Sequence, residues 1–163
     1  MENNETMVKD KKISKGKIAI FLILFVILVV GVIIGIRYYK IKDYVGSWSG
    51  TYVEQGTDGT TGLVPTKFVD IYDVDIGEDG NIKIHKFWSW LEQKKPNSEY
   101  TIALSSEDDI YGKLIIRKGK VYFKVEIGDG GAGLKTGDIT ELEWINYNKI
   151  NMILPEHEVS LIK

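Results

Sequence analysis

Lys120-Val-Tyr-Phe-Lys-Val-Glu-Ile127 decides the fold class. Val121, Phe123, Val125 and Ile127 alternate with Lys120, Tyr122, Lys124 and Glu126. Successive side chains on a strand point to opposite faces, so this period of two gives one apolar face for a core and one wet face. A helix would need apolar residues three and four apart, and this stretch does not supply them.

The same alternation continues on both sides, punctuated by turn residues. Lys118-Gly119-Lys120 leaves room only for a tight reversal, so Ile110–Lys118 forms the preceding strand with Gly112, Leu114 and Ile116 on one face. Tyr100, Ile102 and Leu104 form a further apolar face. Strands are expected over Gly46–Glu54, Thr66–Ile76, Asn81–Trp88, Ser98–Ser105, Ile110–Lys118, Lys120–Ile127, Asp138–Asn146, Lys149–Leu154 and Glu158–Ile162. Ser106-Glu-Asp-Asp109 reads as a solvated acidic turn between two of them. Ile76-Gly-Glu-Asp-Gly-Asn81 reads as a tight β-turn, and Tyr147-Asn148 as a two-residue reversal. Reversals this short force antiparallel neighbours, because a parallel pair needs a crossover of roughly a dozen residues. An open sheet of about eight or nine strands would leave two edges exposed, and closure removes them. The expected fold is therefore all-β, an antiparallel up-and-down meander barrel. A β-sandwich is the alternative.

Charge divides the chain where the β pattern begins. The net charge of −2 hides eight Lys or Arg against three Asp or Glu in residues 1–42, and 13 against 20 in residues 43–163. Between the halves runs Ile18-Ala-Ile-Phe-Leu-Ile-Leu-Phe-Val-Ile-Leu-Val-Val-Gly-Val-Ile-Ile-Gly-Ile36, with no charge. At roughly 1.5 Å per residue a helix of this length spans about 28 Å, close to the hydrocarbon thickness of a bilayer. It has no polar stripe, which a buried core helix would show. The run exceeds a cleaved signal's apolar region and no A-x-A pattern follows it, so an uncleaved signal anchor is expected. Arg37-Tyr38-Tyr39-Lys40 supplies interfacial anchors after the run. Five lysines (Lys9, Lys11, Lys12, Lys15, Lys17) precede it and Arg37, Lys40 and Lys42 follow, favouring a cytoplasmic N-terminus. The expected organisation is a basic tail over 1–17, a transmembrane helix over 18–36, a juxtamembrane linker over 37–43 and an extracytoplasmic domain over 44–163. Gly31-x-x-x-Gly35 matches a helix-pairing pattern but leaves the oligomeric state open. The absence of cysteine excludes a disulfide scaffold, and 44% hydrophobic residues exclude a disordered chain. With 19 Lys against two Arg and 23 Ile, the composition suggests an AT-rich bacterial source.

Val45-Gly46-Ser47-Trp48-Ser49-Gly50-Thr51-Tyr52 resembles the G-x-W signature that opens the first strand of lipocalin-like (calycin) barrels. The resemblance implies that Trp48 plugs the closed end of the barrel and that Gly46 lets the chain bend there. It implies a small bacterial lipocalin-like domain. The family's T-D-Y element is absent, and no Arg lies late in the chain to pack on the tryptophan.

Motifs that carry chemistry are sparse. His85 and His157 are the two histidines, and with no cysteine they do not make a zinc site. Gly46-Ser-Trp-Ser-Gly50 places Trp where a nucleophile elbow needs Ser. Gly128-Asp-Gly-Gly-Ala-Gly133-Leu-Lys135-Thr136 nearly spells a phosphate loop, but Leu134 intervenes and a strand follows. Asp75-Ile-Gly-Glu-Asp79-Gly80 opens like a calcium loop, with Gly77 at the third ligand position and Lys86 at the twelfth. No catalytic residue, metal or cofactor is expected, and the acidic outer domain should repel nucleic acid. Phe87-Trp88-Ser-Trp90-Leu91 is the strongest binding candidate. On the alternation Lys86, Trp88 and Trp90 share the face of Ile82 and Ile84, where the rings could line the barrel mouth and Lys86 hold an anionic head. The expected function is a membrane-anchored extracytoplasmic module, held in the bilayer through Ile18–Ile36, that binds a small amphipathic or lipid-like ligand in the barrel. The alternative is a side-chain-filled barrel that binds another envelope protein.

Overall fold

The computed structural model describes residues 15–57, 65–95, 97–128 and 133–163. The chain divides into two compact units, residues 1–37 and 38–163. The first is built on α1, Lys15–Ile41, a single helix whose last turn belongs to the second unit. From Ile18 onward α1 is long and apolar enough to cross a membrane, or to serve as a signal sequence. Its large apolar side chains from Ile18 to Ile36 are exposed on every side. β-Branched residues make this a poor helix in water, but in lipid every backbone group must bond internally, which a helix achieves within one segment. Arg37–Ile41 continue the helix.

The second unit is a closed antiparallel barrel of eight strands in sequence order. They are β1 (Gly46–Thr57), β2 (Pro65–Ile76), β3 (Asn81–Gln93), β4 (Tyr100–Arg117), β5 (Lys120–Ile127), β6 (Ile139–Asn146), β7 (Lys149–Ile153) and β8 (Glu158–Ile162). Ser49 opposite Ile162 closes β1 on β8. The fold is thus the expected meander barrel rather than a sandwich. Inward positions of all eight strands fill the lumen: Trp48, Tyr72, Ile84, Leu114, Phe123, Leu142, Ile150 and Leu161 are buried. Eight strands enclose a space that side chains can just fill, and here they do.

Three expectations are corrected. Ser106–Asp109 is no turn, because β4 runs unbroken through it. Asp109 projects outward and pairs with Lys83 at 3.1 Å and His85 at 2.9 Å on β3, so this acid is held by ladder neighbours. Tyr100, Ile102 and Leu104 do not form a core face. A bulge sets Leu91 opposite Ile102 directly after Trp90 opposite Leu104, and this part of β4 lies beyond the end of β5, so Ile102 is 63% exposed. Ile127 does not join Val121, Phe123 and Val125. A register shift places it opposite the outward Tyr111, whereas Val125 faces Gly112, and it is left exposed. Gly112 permits that close approach, since a Cβ there would lie 2.1 Å from the Lys124 carbonyl oxygen.

The lower end of the barrel is built around the Gly46-x-Trp48 motif. The Trp48 indole N–H donates to the Tyr44 carbonyl at 2.7 Å, and the Tyr44 hydroxyl donates to the Leu142 carbonyl at 3.2 Å. Trp144 meets both rings edge-on, with centroids 5.5 Å from Tyr44 and 6.4 Å from Trp48. A cation, Lys163, sits over the tryptophan. Its ammonium lies 4.9 Å from the Trp48 ring and donates to the Val45 carbonyl at 2.8 Å. Gly46 has φ +131°, and a Cβ there would meet the Lys163 side chain at 2.6 Å.

Candidate functional site

Strand length creates the site. β1 to β4 have 12, 12, 13 and 18 residues, against five each for β7 and β8. The first four strands therefore project past the upper mouth as an overhanging sheet. Alternation places Tyr52 and Glu54, Phe68 and Asp70, Lys86, Trp88 and Trp90, and Asp108 on its inner face.

A polar layer covers the filled lumen at the root of this overhang. Tyr72 lies opposite Lys86, and Asp70 sits one inward position further out. Lys86 is 6% exposed; its ammonium is 2.9 Å from Asp70 Oδ2 and 5.3 Å from the Tyr72 ring. The Tyr72 hydroxyl donates to Asp70 Oδ2 at 3.2 Å and lies 3.2 Å from His157 Nε2. With the Tyr72 proton on Asp70, a neutral His157 protonated at Nε2 donates to the phenol oxygen. The His157 ring also stacks on Tyr52, centroids 3.9 Å apart. Burial, reinforced by the Asp70 charge, pushes the Tyr72 phenol well above its ordinary range, so it remains a donor. Burial likewise lowers the His157 pKa; Asp70 opposes this and Lys86 adds to it.

The structure brings the expected residues Lys86, Trp88 and Trp90 together on one face, but with different surroundings. Lys86 is neutralised by Asp70 rather than left free for an anionic head. Trp90 stacks on Phe68 at 5.7 Å, and both tryptophans are half-buried on the overhang at the barrel mouth. Two polar atoms are buried without a hydrogen-bond partner among the described residues, Trp90 Nε1 and Asp108 Oδ2. Asp108 lies opposite Lys86 on β4.

Sequence reasoning missed Asp70, Tyr72, His157 and Asp108. The first two follow from the β2–β3 register: the turn closes between Gly77 and Asn81 and pairs Ile76 with Ile82, which puts Tyr72 opposite Lys86 and Asp70 opposite Trp88. His157 had no local signal, because its partners Tyr52 and Tyr72 lie about a hundred residues upstream. His85 lies on the wet face, as its alternation indicates. Among the described residues no three His, Asp or Glu side chains group as metal ligands. Residues 129–132 of the phosphate-loop-like stretch lie outside the described residues. No protein-family model matches this chain, and no curated protein is similar to it.

Proposed function

We propose that the chain is a membrane-anchored, lipocalin-like recognition module whose working surface is the overhang of β1–β4, not the lumen, and that it engages another protein of the cell envelope. The carrying observation is the filled barrel: Tyr72, Leu114, Phe123, Ile150 and Leu161 are each fully buried, so the lumen offers no room for an amphiphile. Apolar side chains collect on the overhang instead: Phe68 and Leu104 are exposed on its inner face beside the half-buried tryptophans, and Val53, Ile71 and Ile102 are exposed on its outer face. An apolar helix of membrane-crossing length precedes the barrel. The basic tail then faces the cytoplasm and the acidic barrel the outside.

A second reading is supported by the unpartnered Trp90 N–H and Asp108 oxygen. A small amphipathic ligand lying along the overhang would cover Trp88 and, with the side chains above them turned aside, pair with both. A photo-crosslinking amino acid at Trp88 in the full chain separates the two. Expected is one protein adduct in intact cells, missing when the crosslinker replaces the outward-facing Lys124. No adduct, with a saturable tryptophan fluorescence change on adding fatty acids, would replace the protein reading with the ligand reading.

A further inference from the structure

A second cleft lies at the opposite end of the barrel. It encloses about 370 Å³ between the last turn of α1, the β4–β5 hairpin and β6, within the size range of small-molecule sites. Lys40, Asp43, Lys120, Glu141, Glu143 and Trp144 carry its chemistry. Lys120 is bound to Glu141 at 2.6 Å. Among the described residues, no ion pair engages Lys40, Asp43 or Glu143.

Chain length bounds the depth of this cleft. Lys40 follows Ile36 by four residues and Asp43 by seven, so at most about 14 and 25 Å of chain separate them from the end of the apolar run. A head-group layer is roughly 5–8 Å thick on each side of the hydrocarbon. If the apolar run fills the hydrocarbon, Lys40 and Asp43 are tethered within reach of lipid head groups.

We propose that this cleft binds the head group of an aminophospholipid, with its phosphate on Lys40 and Lys120 and its primary ammonium on Asp43 and Glu143. The charge pattern selects that class. Two cations against three carboxylates leave the cleft net negative, which disfavours a purely anionic head. Free carboxylates beside the lysines match the second charge of a zwitterion. A primary ammonium donates hydrogen bonds to carboxylates, whereas a quaternary choline has none to donate. Trp144 supplies an amphipathic ring of the kind that favours the membrane interface. The inference rests on α1 spanning the membrane, as in the function proposed above.

The test uses the full chain in detergent micelles with equimolar phosphatidylethanolamine, phosphatidylcholine and phosphatidylglycerol, read by native mass spectrometry. Expected is one retained phosphatidylethanolamine, favoured about fivefold over either competitor, the ratio one well-placed exposed charge contact gives. D43N/E143Q should erase the preference over phosphatidylcholine, and K40Q should weaken retention of all three, both with unchanged thermal unfolding. Glycerophosphoethanolamine, which has the head group without acyl chains, should not displace the lipid. Equal retention of the three lipids, an unchanged preference in D43N/E143Q, or displacement by the soluble head group overturns the inference and leaves the anchor intact. Release of the chain from membranes by alkaline carbonate overturns the anchor and the lipid source with it.

Discussion

Replacing Lys86 by methionine should destabilise the barrel by about 3 kcal/mol. The ammonium and the Asp70 carboxylate are 2.9 Å apart, with 8% and 16% of their side chains exposed. Methionine keeps much of the apolar stem, so little cavity is created. What changes is charge: Asp70 is left almost out of water with the Tyr72 hydroxyl at 3.2 Å as its remaining donor. Breaking a buried pair from one side typically costs about 3–5 kcal/mol, and the residual exposure of Asp70 places this pair at the low end. Asp70→Asn should cost about 2 kcal/mol by the converse argument, since the ammonium loses its counter-charge. The double variant leaves no unpaired charge and should cost about 2 kcal/mol instead of the roughly 5 of an additive pair. Urea unfolding of the full chain in mild detergent, followed by tryptophan fluorescence, measures this. With a slope of about 1.5 kcal/mol per molar urea, K86M shifts the midpoint by about 2 M. A shift below roughly 0.5 M, or additive single costs, would refute the reasoning and return Lys86 to the role of a free ligand-holding cation.

Three further outcomes follow from the same structure. His157 has its pKa lowered by burial from the ordinary 6.5, so the unfolded chain binds its proton more readily than the folded one. Its contribution is present above about pH 6.5 and lost as pH falls below that, and H157F should flatten the stability profile there; an identical profile in H157F would sink the assignment. Gly112→Ala should cost about 3 kcal/mol, because the added methyl meets the Lys124 carbonyl and the Phe123 ring at 2.1 and 2.4 Å; an unchanged melting temperature counts against the tight β4–β5 seam. Lys163→Gln should cost about 1 kcal/mol through its bond to Val45 and its place over Trp48. A W48F background should reduce that cost, and an undiminished cost argues against the ring contact.

The sequence conveyed much of the architecture for identifiable reasons. Val121, Phe123 and Val125 point inward because strand periodicity is local, and Lys118-Gly119 is a turn because nothing longer fits. Lys86 was placed beside Ile82 and Ile84 by the same parity, against its hydrophilic character. Errors fell where parity breaks. Bulges at Trp90/Leu91 and Tyr111/Gly112 insert one residue on one strand, and everything beyond reverses its face. Ile102 and Ile127 were misplaced for that reason. The acids of Ser106–Asp109 match turn composition, yet Lys83 and His85 on the neighbouring strand stabilise one of them, Asp109, inside a ladder.

Periodicity, turn chemistry and one uninterrupted apolar run are properties of neighbours along the chain, so the sequence alone determined a β meander behind an apolar helix. Strand overhang, the fullness of the lumen and the ring and cation packed on Trp48 depend on residues far apart in sequence. His157 reaches Tyr72 across 85 positions, and Lys163 reaches Val45 across 118. Only closure of the barrel brings those groups together, whereas Asp70 meets Lys86 within the β2–β3 hairpin, and it is the filled lumen that leaves the rim as the candidate surface.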